Sequence, residues 1–366
     1  MGLFSSNKNY LGIDFGTSSI KMVELELEKG RPKLVTYGYI EEAINIVKSD
    51  KPEDQEKTVA SIKRLLKESR ATSRRAVSAL PPYAVFSSII SLPIMPNKDL
   101  VSAVRWEAKK FVPMPLEEMI LDWKVIEEKE PANLEIKAKP ENLGERVVTK
   151  EKNAKNLQIL LTAAPKNLVK RYLDTFKKSE LQLASLETEA FALERSLVGE
   201  DKSAIMIIDI GALGTHVTII SDGVPVLNRS IDIGGTTITK AIADSMNIDL
   251  DRADQFKRDV GMSMTGGSDQ IPKTIEFVIS SIINEIKYCF NIYQNQEVKA
   301  IEKIILAGGS SFLLQLPEYL AKVLNIKVLI GDPWSRIVYP IELEPILKEI
   351  GPKFAVAVGL AMRNLV

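Results

Sequence analysis

Two stretches of this chain share one pattern: an apolar strand ending in an aspartate, a glycine two residues on, and a second strand. Residues 10–21 read YLGIDFGTSSIK. Leu11 and Ile13 are apolar, Asp14 precedes Gly16, three hydroxyl residues follow, and Lys21 comes next. Beyond it Val23, Leu25 and Leu27 alternate with Glu24, Glu26 and Glu28, the period of a half-buried strand. Residues 206–220 read MIIDIGALGTHVTII, with Asp209 and Gly211 at the same spacing. Ser221-Asp222-Gly223 then marks the next hairpin turn. At such a turn several backbone N–H groups can converge on an anion, unobstructed at the glycine. Thr17, Ser18 and Ser19 add donors, Lys21 adds a point charge, and Asp14 suits a magnesium ion held through water. One such turn is equally an ordinary hairpin. Two, with their aspartates 195 residues apart in a chain of 366, predict two related halves facing a shared cleft, with a nucleotide's phosphates contacted from both sides.

A chain this long predicts two or more domains. The 48 basic residues balance 48 acidic ones, so no basic surplus points to nucleic acid. The single Cys289 excludes an internal disulfide and fits a reducing compartment. The lone His216 follows a strand turn and reads as a structural or surface residue. Residues 1–10 lack the apolar core of a signal peptide. The longest uncharged run, 76–97, is broken by Pro81, Pro82, Pro93 and Pro96, so it reads as a turn and a buried strand, 84–92, rather than a membrane span.

Residues 33–40 read as a third strand, and Pro52 opens a helix with Val59, Ile62, Leu65 and Leu66 on one face. The basic cluster Arg70, Arg74 and Arg75 reads as a solvated loop. Asn97 is placed to cap a helix with Val101, Val104, Ala108 and Phe111 as its stripe. Residues 119–126 and 157–163 read as strands. The charged, proline-broken stretch 127–155 between them reads as a loop or long hairpin tip. Pro165 opens a helix carrying Leu168, Tyr172 and Phe176. Residues 183–197 start extended and end helical. Ser230–Gly235 leads into a helix from Thr236, 251–257 is helical, and 272–296 is a long helix with an isoleucine stripe. Residues 304–311 form an apolar strand ending in Gly308-Gly309, where backbone can approach a ligand at a helix start. The last helix, 353–365, is rich in small residues, which predicts close packing against another helix.

Taken together these segments resemble the five nucleotide motifs of the actin-like ATPase superfamily, in order. Residues 12–21 resemble its first phosphate loop, 187–197 the first connecting segment, 208–215 the second phosphate loop, 306–311 the adenosine motif and 353–362 the second connecting segment. An insertion between Pro82 and Leu181 resembles that of FtsA and its relatives. Lys109-Lys110-Phe111-Val112-Pro113-Met114-Pro115 with Leu121-Asp122-Trp123 is similar to the PilM family of type IV pilus assembly proteins. The resemblance implies an α/β, actin-like ATPase fold whose two halves flank a nucleotide cleft, with an FtsA-type inserted α+β subdomain. It places the first half at 1–82 and 181–200 with the C-terminal helix 352–366, and the inserted subdomain at 83–180. The second half falls at 201–240 and 300–351, with its helical subdomain at 241–299.

The same resemblance implies ATP and Mg2+ as ligands. Asp14 and Asp209 would hold the metal. Gly12, Gly16, Thr17, Ser18, Ser19 and Lys21 would form one phosphate cradle, and Gly211, Leu213, Gly214 and Thr215 the other. Gly308, Gly309 and Ser310 would face the adenosine, with Asp254 and Lys257 near the ribose. Glu189 falls where related ATPases position the attacking water. Ala212 and Leu213 replace small hydroxyl or glycine residues, and Ala190 replaces a proline, so slow turnover is expected at most. The implied partner is the N-terminal cytoplasmic peptide of PilN, docked between the first half and the inserted module, with other pilus inner-membrane and motor components and self-association also admitted. Apolar residues of the module (Phe86, Ile89, Leu92, Val101, Val104, Ala108, Phe111) would supply that groove. The expected location is cytoplasmic, peripheral to the inner membrane through the partner. Two other readings compete: an FtsA-like filament protein, disfavoured because no amphipathic tail follows the last helix, and a sugar-kinase-like phosphotransferase, disfavoured because no substrate pocket with an aspartate base stands out.

Overall fold

The computed structural model describes residues 9–42, 46–47, 49–129, 156–263, 273–296 and 299–365. The chain divides into a larger unit, Met1–Val85 with Asn167–Val366, and a smaller one, Phe86–Lys166.

The larger unit opens with β1 (Tyr10–Phe15), β2 (Ile20–Glu28) and β3 (Arg31–Ile40), an antiparallel meander. Helix α1 (Pro52–Glu68) follows, with proline in its first turn, Glu53 and Asp54 beside the positive end and Lys67 in the last turn, each where the helix dipole favours it. It returns the chain so that β4 (Arg75–Leu80) pairs parallel with β1. The smaller unit intervenes as β5 (Phe86–Pro93), α2 (Asn97–Phe111), β6 (Met119–Lys129) and β7 (Asn156–Pro165). Then come α3 (Lys166–Lys178), β8 (Gln182–Thr188), which pairs parallel with β4, and the short α4 (Glu189–Leu193).

The second half repeats this plan. Strands β9 (Ala204–Ile210), β10 (Thr215–Ser221) and β11 (Val224–Ile231) form a second antiparallel meander. Helices α5 (Gly235–Met246), α6 (Leu250–Val260) and α7 (Lys273–Gln296) lead to β12 (Ile301–Ala307), which is parallel to β9. Helix α8 (Leu316–Leu324), the edge strand β13 (Lys327–Ile330) and α9 (Glu344–Met362) complete the chain. The two five-stranded sheets run β3-β2-β1-β4-β8 and β11-β10-β9-β12-β13. Position for position, they share order and direction.

The second half's core is the isoleucine stripe of α7 (Ile275, Ile279, Ile282, Ile286) against Met206, Ile208 and Ile304. Helix α9 lies among β1, β2 and α4, and from Gly351 to Met362 it is buried nearly all round. It begins at Glu344, earlier than the sequence indicates, and runs through Pro352. Proline lacks the donor that a helix interior uses, which is why the sequence reads as a start there. The Pro352 carbonyl instead accepts from Gly308 N–H at 2.9 Å. Glu24, placed on the solvent side of β2 by alternation, is fully buried. Asn9, Thr72 and Ser73 donate four hydrogen bonds to its carboxylate, satisfying a charge that would otherwise be costly to bury.

The smaller unit is a three-stranded antiparallel sheet, β5-β7-β6, covered by α2. Asn97 does not cap α2, whose N-cap is Pro96 with no side-chain bond. Leu100, Val104 and Ala108 form the buried stripe, one turn apart along a helix face. Val101 and Phe111 are about half exposed, as is Ile94, and Trp106 is 63% exposed. Strand β6 runs to Lys129, into the expected loop, and the rest of that loop, like Pro272, lies outside the described residues. Residues 167–180, grouped by sequence with the inserted module, pack with the larger unit. Tyr172 and Phe176 stand edge-on to Phe15 at 5.5 and 5.9 Å, all three buried.

Candidate functional site

Asp14 and Lys21 are directly opposed across the β1–β2 ladder, with Gly16–Ser19 as the turn between. Lys21 Nζ donates to Asp14 Oδ2 at 2.9 Å. In the second half the turn is 211–214, closed by a Gly211 N–H bond to the Gly214 carbonyl at 2.9 Å. Asp209 stands one residue before the end of β9. Glu189 opens α4, and the carboxylate two residues earlier, Glu187, is gripped bidentately by Arg195 and again by Arg363, which fixes where that helix starts. Asp14 and Glu189 are both buried.

Electrostatics gather these groups into one site. Burial works to lower the Lys21 pKa, but the hydrogen bond and negative charge of Asp14, with Asp209 and Glu189 behind it, raise it overall. Burial, reinforced by Asp14 and opposed by Lys21, lifts Asp209 to about 6. Burial, then Asp14 and Asp209, lifts Glu189 well above the carboxylate range. Three acids thus share one lysine, and the site is short of positive charge. A divalent cation suits it. Among the described residues no group of three His, Cys, Asp or Glu could hold a metal. Asp14 and Asp209 would therefore reach magnesium largely through water, as that ion prefers.

The other expected residues take varied places. Thr17 is half-buried, Ser18 exposed and Ser19 buried, and a Cβ on Gly16 would lie 3.0 Å from Lys21 Nζ. Gly12 packs closely on α9: a Cβ there would overlap the Ala357 carbonyl. Leu213 is 47% exposed at its turn. Thr215 is buried and its hydroxyl donates to the Ile233 carbonyl at 2.7 Å, so it braces the turn from within. Gly308 has φ +79°, and a Cβ would overlap Asp209 Oδ1; the end of β12 thus abuts the second aspartate. Gly309 lies under the Lys353 side chain. Asp254 and Lys257 are paired at 2.5 Å, and Lys257 also donates to Thr239 Oγ1 at 2.8 Å.

Gly234, Gly235 and Lys353 lie outside the site residues expected from the sequence. Gly235 N–H bonds the Gly211 carbonyl and Thr236 N–H the Ala212 carbonyl, at 2.9 and 2.8 Å. A Cβ on Gly234 would lie 2.6–2.8 Å from Gly211, Ala212 and Gly214 backbone, and one on Gly235 2.5 Å from Ser310 Oγ. The start of α5 therefore props the second turn and meets Ser310 beside Lys257. A glycine pair opening a helix was the available signal. The lone His216 stacks on Tyr83 at 6.2 Å, with Nδ1 2.8 Å from Ser230 Oγ.

With this geometry in view, the pattern of the type IV pilus assembly protein PilM matches residues 12–138 and 144–365. The chain belongs to the PilM family. A solved PilM-PilN type IV pilus biogenesis complex is similar at 28% identity, over 98% of both chains, with a TM-score of 0.79. Ethanolamine utilization protein EutJ from Carboxydothermus hydrogenoformans is 14% identical over 96% of this chain and 89% of its own, TM-score 0.55. MreB 5 of Spiroplasma citri, solved bound to AMPPNP, is 12% identical over 96% and 94%, TM-score 0.50. Likenesses as remote as the last two carry the fold alone, that of the actin-like ATPases. Among the described residues no helix of this PilM family member is long and apolar enough to cross a membrane.

Proposed function

We propose that this PilM family member is an ATP-binding scaffold of the type IV pilus inner-membrane platform and docks the N-terminal cytoplasmic segment of PilN. The observation that carries the nucleotide reading is the charge deficit at Asp14, Asp209 and Glu189, which Mg2+ would relieve. The Gly16–Ser19 and Gly211–Gly214 turns would cradle those phosphates from two sides. Gly308, Gly309 and Ser310 would meet the base, and Asp254 and Lys257 the ribose. Glu189 would orient water, with hydrolysis slow because Ala212, Leu213 and Ala190 stand where active relatives carry other residues. Magnesium would supply the positive charge that lets the acids ionise; the protein's own part is to fix the carboxylates and exclude solvent.

The cleft is tested by titrating a fluorescent ATP analogue with and without magnesium. Asp209→Asn should weaken magnesium-dependent binding roughly 10–100-fold, the range for loss of an outer-shell metal partner. It should also raise the melting temperature of the nucleotide-free protein, because one repelling charge is gone. Equal affinity in both proteins would overturn the two-turn cleft. The partner reading rests on the PilM-PilN complex and on the half-exposed Val101 and Phe111 of the smaller unit. Calorimetric titration with a synthetic PilN N-terminal peptide should release heat, and its scrambled control should not. Equal heats would remove the partner and leave the cleft standing. Such docking would hold the chain at the inner membrane.

A further inference from the structure

Helices α1 and α3 end alike. After α1, Arg70 adopts φ +55°, its N–H bonding the Lys67 carbonyl while Ala71 N–H bonds the Leu66 carbonyl. After α3, Glu180 adopts φ +60°, bonding the Lys177 carbonyl while Leu181 N–H bonds that of Phe176. Both are left-handed caps at a position that ordinarily takes glycine or asparagine. Between them lies an open depression of about 350 Å³ lined by Lys63, Lys67, Arg70, Arg74 and Glu180 over Leu66. Among the described residues Glu180 is its only acid, and it is taken by Lys63 at 2.7 Å. Arg74 uses one nitrogen on the Ala71 and Ser73 carbonyls. Lys67 and Arg70 meet no carboxylate among the described residues.

Cations at helix C-termini have an ordinary explanation, since they offset the dipole's negative end. Here the count exceeds that need. Four cations face one acid, and two helix ends contribute roughly half a negative charge each, which leaves about two positive charges unmatched. The whole chain is formally neutral, so this is a local concentration of charge rather than a share of a basic surface.

We propose that this depression binds a phosphate-bearing anion, whether a phospholipid headgroup or soluble phosphate. Arg70 and Arg74 offer forked donors matched to phosphate oxygens, and the lysines add point charges. The space suits one small anionic group better than a length of peptide. The site is separate from the nucleotide turns and does not depend on the reading given for them.

The test uses the full chain, the double variant Lys67→Gln/Arg70→Asn, and a charge-matched control, Lys322→Gln/Lys327→Gln, on the exposed α8–β13 region. Asparagine tolerates the left-handed cap, so the fold is kept. Co-sedimentation with vesicles of phosphatidylglycerol and phosphatidylcholine is compared with phosphatidylcholine alone, and inorganic phosphate is titrated separately by calorimetry. The nucleotide turns are the same in all three proteins and cancel. Binding to the anionic vesicles roughly thirtyfold weaker in the pocket variant alone, the loss expected for two cations near an anionic surface, assigns a lipid headgroup. Phosphate heat lost in that variant alone, with vesicle binding unchanged, assigns a soluble anion. A pocket variant indistinguishable in both assays from the wild type or from the control overturns the proposal.

Discussion

Opposite protonation preferences meet at the ends of β9 and β10. Burial lowers His216 to about 4, against an ordinary 6.5, whereas Asp209 is raised from 3.8 to about 6. The signs oppose over nearly the same window. Above about pH 6.5 the imidazole is neutral in both folded and unfolded chains and contributes nothing. As the pH falls towards 4 the unfolded chain takes up the proton and the folded one does not, so stability is lost. Asp209 does the reverse, since its folded form holds a proton that the unfolded form has already released, so stability is gained on acidification through about 6. We predict that His216→Gln removes one side of this balance. Relative to its own value at neutral pH, the variant should be about 2 kcal/mol more acid-tolerant than wild type at about pH 5, read from urea midpoints. Parallel pH profiles for the two proteins would show the ring to be more solvated than its packing implies. Which residues carry charge at the two turns was legible in the sequence, because aspartate and glycine recur there at fixed spacing and Lys21 follows the first pair. What each carboxylate experiences was not. Glu24 reads as a surface residue and is buried because Thr72 and Ser73, 48 and 49 residues away, supply its donors.

Among the elements, α9 does most to join the two sheets, and its glycines decide how closely it lies. Gly359 stands where a Cβ would overlap the Ala192 carbonyl of α4, and the Gly359 carbonyl accepts from Arg195. Glycine inside a helix ordinarily costs about 1 kcal/mol relative to alanine, so Gly359→Ala on a free surface would stabilise. Here the sign should reverse. We predict a loss of roughly 1–3 kcal/mol, as for overpacked cores, by urea denaturation. Because α4 begins with Glu189, nucleotide affinity should fall with it; a stabilised variant would mean that the helices can part freely. The small-residue pattern of the last helix implies that something packs closely there. It could not supply the partner or the start at Glu344, since a proline inside a helix is tolerated only when tertiary contacts outweigh the lost bond. Helix α2 shows the same limit. Val101 and Phe111 fit a helical stripe on paper, yet Leu100 takes the buried place because the sheet beneath meets the other side of the turn.

At the scale of the whole molecule, the repeated sheets were foreshadowed by the repeated I-D-x-G segments, whereas the extent of the inserted unit was not, because α3 follows that unit in sequence but packs with the larger one. The smaller unit has its own buried core from Leu92, Leu100, Val104, Ile159 and Leu161. Its first and last strands are paired, with Phe86 opposite Ala163, so the chain enters and leaves it at neighbouring points. The Gly16–Ser19 and Gly211–Gly214 turns, the acid cluster and Gly308–Ser310 belong to the larger unit. A variant in which a short glycine-serine linker replaces residues 86–166 should therefore still fold and bind the fluorescent ATP analogue within a few-fold of wild type. Heat from the PilN peptide should be abolished, since Val101, Trp106 and Phe111 go with the deleted unit. Retained peptide binding in the deletion variant would move the partner surface onto the larger unit. Loss of nucleotide binding in a protein that still melts cooperatively would show that the cleft needs the inserted unit to hold its shape.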